Sequence, residues 1–102
     1  MPMTVRLQTE SGHVLKELYD LDDASLRLVY RADPEQLKIA HAVDQYGQTY
    51  LNCLQVPLFL EDLEKILSGG ASRSEAEVLG RIADLARESL SEHHLYLRFL
   101  GD

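Results

Sequence analysis

One cysteine, Cys53, stands in the whole chain, so no internal disulfide can form and the usage fits a reducing compartment. Tryptophan is absent and aromatic residues make up only 7%. No apolar run approaches the ~20 residues that a membrane-spanning helix needs. The opening Met1-Pro2-Met3-Thr4 leads straight into an expected strand, so no signal peptide is expected, and a cytoplasmic protein is the default expectation. Basic residues are also few. Ten Lys and Arg face seventeen Asp and Glu, for a formal charge of −7. Nucleic-acid backbones and anionic membranes both require a concentrated positive surface, so neither is an expected partner. A basic protein is the partner such a surface would steer at low salt. The same charge also serves simply to keep a small domain soluble.

What is present is ordinary for a folded domain. A hydrophobic fraction of 45% over 102 residues suits one core, and residues 1–102 are expected to form a single domain. No internal repeat, low-complexity segment or linker divides them.

The clearest signals lie in residues 37–68. Asp44-Gln45-Tyr46-Gly47 has Asp at the first and Gly at the last position of a type I turn, with Gly47 expected at positive φ in a bulged hairpin loop. That register pairs Val43 with Thr49, His41 with Leu51 and Ile39 with Cys53. It places those six residues on the core face, and Lys38, Ala40, Ala42, Tyr50, Asn52 and Leu54 on the other. Pro57 then suits the first turn of a helix. Phe59, Leu60, Leu63, Ile66 and Leu67 form its apolar stripe, and Glu61, Asp62, Glu64 and Lys65 form a solvated face. Gly69-Gly70 ends it.

Upstream, Val5 to Thr9 alternates as a strand, Ser11-Gly12 is a turn, and His13 to Tyr19 returns as the second arm of a hairpin. Asp20-Leu21-Asp22-Asp23 is a polar break. Residues 24–31 fit either a short helix capped by Asp22 or Asp23, with Leu26, Val29 and Tyr30 on one side, or a strand. Downstream, Ser74 and Glu77 have capping-box spacing. A helix follows with Val78, Leu79, Ile82, Leu85, Ala86 and Leu90 on one stripe, and Gly80 inside it suits close approach of a neighbouring element. Leu95 to Leu100 alternates as a strand. A strand that closes the chain must pair within the sheet. The expected fold is α+β: an antiparallel sheet of about four to five strands with two helices packed on one face.

Two runs carry a resemblance. Asp44-x-Tyr46-Gly47-x-Thr49 followed by Asn52-x-Leu54-Gln55 and an amphipathic helix is one, and His94-Leu95-Tyr96-Leu97-Arg98-Phe99-Leu100-Gly101-Asp102 is the other. Together they are similar to a group of small bacterial proteins without an assigned activity. That group resembles, in size, acidity and α+β build, the immunity proteins of polymorphic toxin systems. The match covers about the last two thirds of the chain; residues 1–36 are not diagnostic. It implies a bacterial cytoplasmic protein and carries no catalytic signature.

No constellation points to catalysis, a metal or a cofactor. His93 and His94 are neighbours that point apart, no Cys or His has zinc-site spacing, and Asp20, Asp22 and Asp23 lack the alternation and glycine of a calcium loop. Cys53 reads as a small hydrophobe in a strand. His41 reads as a hydrogen-bonded residue at the sheet margin. Asn52 and Gln55 read as supports of the strand-to-helix connection, although Tyr50 and Asn52 beside small alanines also make a shallow contact surface. The expected function is therefore a non-enzymatic binding protein of immunity type. Its acidic surface would face a basic toxin-like partner, with Asp20, Asp22, Asp23, Tyr50 and Asn52 as contact residues and Glu61, Asp62 and Glu64 as a second acidic cluster. A self-associating structural domain, dimerising through a sheet edge or face, is the alternative.

Overall fold

A computed structural model of the chain describes residues 3–21, 29, 32–44, 46–92 and 94–101. Strand β1 (Met3–Thr9) turns back into β2 (Val14–Leu21), with Gly12 at φ 95° in the turn. Thr9 organises that turn, since its side-chain oxygen accepts the His13 amide at 3.1 Å while its own amide donates to the His13 carbonyl at 2.9 Å. Strand β3 is Gln48–Leu51 and β4 is Leu95–Leu100. These strands form one antiparallel sheet in the order β2-β1-β4-β3, so the closing strand lies inside it as expected. Helices α1 (Val56–Ser68) and α2 (Arg73–Ser89) complete the α+β fold.

The alternation of each strand decides the layers. Met3, Val5 and Leu7 of β1, Leu95, Leu97 and Phe99 of β4, and Leu51 of β3 are buried on one face. Against them pack Val56, Phe59, Leu63 and Ile66 of α1 and Leu79, Ile82, Leu85 and Ala86 of α2. Phe59 and Phe99 meet edge to face, with ring centroids 5.3 Å apart. Ser72 caps α2, accepting the Glu75 amide at 3.2 Å, while the Glu75 carboxylate accepts the Ser72 amide at 2.9 Å. The expected Ser74–Glu77 box is thus displaced two residues towards the N-terminus. The same Ser-x-x-Glu spacing occurs there, and using it lengthens the helix by half a turn. Gly80 has open space where a β-carbon would lie, so the close approach expected there does not occur.

The largest departure concerns the central hairpin. Residues 37–43 do not pair with β3. Ala40–Ala42 form a 3-10 turn, and β3 pairs with β4 instead, through Gln48–Leu100, Thr49–Phe99, Tyr50–Arg98 and Leu51–Leu97. The cause is Asp62. This residue, expected on the solvated face of α1, is wholly buried, and its carboxylate accepts the Lys38 amide at 2.8 Å, the Ile39 amide at 2.8 Å and the Ala40 amide at 2.7 Å. Successive amides of a strand point to opposite sides, so three in a row cannot converge on one carboxylate unless the chain curls. Alanine, lysine and histidine are also poor strand formers, whereas Leu95 to Leu100 offers a richer partner.

The 44–47 turn follows different chemistry from that expected. Asp44 Oδ1 accepts the Tyr46 amide at 2.9 Å, and Gly47 is not among the positive-φ glycines. A β-carbon at Gly47 would stand 2.6 Å from Asp44 Oδ2, so glycine makes room for that carboxylate. His41 is exposed on the 3-10 turn, with Nε2 3.1 Å from the Ala32 carbonyl, and Cys53 lies in a turn after β3; neither occupies the strand position expected of it. Residue 29, the one described position within 24–31, is helical and buried. The rest of that expected helix or strand lies outside the described residues.

Candidate partner-binding face

The sheet face opposite the helices carries the alternate side chains of each strand. From β1 these are Thr4, Arg6 and Gln8, and from β4 Tyr96, Arg98 and Leu100; Gln48 and Tyr50 come from β3 and Glu17 from β2. Register aligns four of them in a single row across all four strands. Glu17 pairs with Arg6, Arg6 with Arg98, and Arg98 with Tyr50. Residues directly opposite one another in an antiparallel pair have β-carbons roughly 4.5–5.5 Å apart, so the row is a continuous chain of neighbours.

Arg98 is its centre. Its guanidinium carbon lies 5.0 Å from the centroid of the Tyr50 ring. One terminal nitrogen donates to Gln8 Oε1 at 3.4 Å and the other to Gln48 Oε1, which braces the guanidinium between the flanking strands. Its Nε is shielded and has no hydrogen-bond partner among the described residues. Arg6 Nε donates to Glu17 Oε2 at 2.7 Å, while Glu17 Oε1 is buried and likewise without a partner among those residues. Gln8 is covered, at 4% exposure, whereas Tyr50 keeps 48% of its surface open. Tyr46 and Leu54, exposed at 72% and 79%, lie just before and just after β3.

Tyr50 therefore stands where the sequence placed it, exposed on the sheet face away from α1 and α2, although its neighbours differ from those expected. Asn52 is half-buried and engaged with backbone. Its Oδ1 accepts the Leu54 amide at 2.9 Å and the Gln55 amide at 3.1 Å, while Gln55 Oε1 accepts the Asn52 amide at 2.9 Å. That reciprocal arrangement ends β3 and starts the turn into α1. Asp20 falls within β2 with its side chain outside the described residues, as are Asp22 and Asp23 altogether. The second acidic cluster is dispersed. Asp62 is buried, and Glu61 pairs with Lys38, whose pKa that hydrogen bond and charge raise above its ordinary value. Arg6, Gln8, Glu17 and Gln48 were not singled out by the sequence. Their alternation with core residues is visible, but their alignment needs the β1–β4 pairing, which joins positions some 90 residues apart.

Among the described residues no group of three His, Cys, Asp or Glu is placed to hold a metal ion, and no helix is long and apolar enough to cross a membrane. Comparison with protein-family models, with curated proteins and with solved structures finds no match.

Proposed function

We propose that the protein is a non-enzymatic binding protein of immunity type, which neutralises a protein partner by covering it with the open face of the sheet. One observation carries this reading: Tyr50, half exposed, stacked under the braced guanidinium of Arg98. Tyrosine and arginine are enriched at the centres of interfaces, because each combines a broad contact area with a polar end. A guanidinium held in place beforehand loses little freedom on contact. The charge of −7 supplies long-range attraction to a basic toxin in the cytoplasm, while the row makes the local contact.

The test is a growth assay in which the chain is co-expressed with each protein encoded by the genes neighbouring its own, screened first for toxicity. Wild-type chain should restore growth. Tyr50→Ala should lose protection while its melting temperature stays within a few degrees, since an exposed tyrosine contributes little to the core. Full protection by Tyr50→Ala would overturn the reading.

Self-association is the second reading. The outer strand β2 exposes Val14 and Leu15, at 37% and 49%, beside a groove of about 300 Å³ lined by Leu7, Leu15, Lys16, Glu88, Ser91, Glu92 and Leu95. Sedimentation showing a homodimer that Leu15→Lys dissociates would favour this reading instead.

A further inference from the structure

We infer that the Arg6–Arg98 pair at the middle of the open sheet face receives a carboxylate side chain, aspartate or glutamate, from a protein partner. The inference rests on the binding reading above and names the chemistry of the contact. Arg6 and Arg98 are directly opposite in the β1–β4 register, an arrangement that is destabilising for like charges. A single carboxylate in the row, Glu17, accompanies the two guanidinium groups, and it engages Arg6 through Nε. The terminal nitrogens of Arg6 therefore have no acceptor among the described residues, and its side chain keeps 31% of its surface exposed. The acceptors around Arg98, Gln8 and Gln48, are neutral amides that orient the guanidinium without compensating its charge. The row thus carries one positive charge more than it balances, in a chain that is otherwise strongly acidic.

A carboxylate placed over the pair would supply the missing charge. It would accept from the terminal nitrogens of Arg6, in the fork geometry that suits planar anions, beside the stacked Arg98–Tyr50 unit. A polyanion such as nucleic acid is the wrong occupant, because the surrounding −7 repels a long run of phosphates while one carboxylate is a local contact. A second copy of this chain seated through the same pair is a poor occupant too. A two-fold axis centred between Arg6 and Arg98 sets the two arginines of one chain against the two arginines of the other. Four guanidinium groups would then share two carboxylates. A homodimer centred on the arginine pair is accordingly disfavoured.

The experiment uses the full chain labelled with nitrogen-15 and two probes, N-acetyl-glutamate methylamide and its neutral glutamine analogue. The glutamate probe should shift the Arg6 and Arg98 Nε–H signals and the Tyr50 amide saturably, with a dissociation constant in the millimolar range. The glutamine probe should leave them in place. Arg6→Met and Arg98→Met should each weaken the glutamate titration by about tenfold or more, and Arg6→Lys should fall between Met and wild type, keeping the charge but losing the fork. Two variants on different strands keep the test decisive should one fail to fold. Equal shifts with the glutamine probe, or wild-type titration in both folded Met variants, would overturn the inference. So would sedimentation showing a homodimer that both Met variants dissociate. Because the probe stands in for the partner, such a result leaves the Tyr50 reading to its own growth assay.

Discussion

Replacing Asp62 with alanine removes one carboxylate and leaves three amides behind it. The amides of Lys38, Ile39 and Ala40 donate to that carboxylate over 2.7–2.8 Å, and Asp62 itself is wholly buried. A buried donor that loses its acceptor costs about 1–3 kcal/mol. The Lys38 and Ile39 amides are only part-buried, and water entering the space left by the side chain recovers more, so the lower half of the range applies to each amide. Three such losses come to roughly 3–6 kcal/mol, a large share of the 5–15 kcal/mol typical of a folded domain. The loop also brings Ala40 and Val43 into the core, at 0% and 3% exposure, so its release would uncover apolar surface as well. At about 4–8 °C per kcal/mol for a chain of this size, the melting temperature of Asp62→Ala should fall by at least ~12 °C. Asp62→Asn should be milder, near 2 kcal/mol, because one amide oxygen can still accept while the NH₂ group faces a donor. Urea denaturation gives the free energies. Hydrogen exchange at the three amides checks the cause, since all three should lose protection together. A loss below about 1 kcal/mol in Asp62→Ala would refute the reasoning.

Two further substitutions test local readings. Ser72→Ala should cost about 1 kcal/mol by removing the cap of α2, while Ser74→Ala, one turn-position inside the helix, should change stability by only a few tenths, and thermal melts of the two variants distinguish the two capping boxes. Gly80→Ala should stabilise by roughly 0.5–1 kcal/mol, since the added β-carbon meets open space and alanine is the better helix former; a lower melting temperature would show that glycine is needed there.

The placement of Asp62 also changes how the acidic surface should be probed. Neutralising Glu61, Asp62 and Glu64 together would weaken the anchoring of the 37–43 loop along with removing charge, so a loss of partner binding in that variant would not isolate steering. Glu61 and Glu64 are exposed and can be changed alone. The Lys38–Glu61 pair that this would break is itself exposed and screened by solvent, so the fold should tolerate it.

Much of the architecture follows from short-range pattern. The apolar stripe of α1, the stop at Gly69-Gly70, the β1–β2 hairpin around Gly12 and the strand at Leu95–Leu100 depend on residues within a turn or two of one another, and periodicity reports such neighbours directly. Tyr50 exposed on the sheet face away from α1 and α2 follows from the same alternation. The partner of β3 does not. Residues 37–43 alternate like a strand, and nothing local separates that pattern from a curled loop. The choice was made by Asp62, which reads as one polar residue among Glu61, Glu64 and Lys65 until its 22- to 24-residue contacts with the loop amides are known. The row from Glu17 to Tyr50 is likewise a product of register between strands at opposite ends of the chain. Sequence alone determined which residues on each strand face away from the core, because alternation is a property of the strand itself. Only the tertiary structure decided which of them stand side by side, because that depends on which strands pair and in what register.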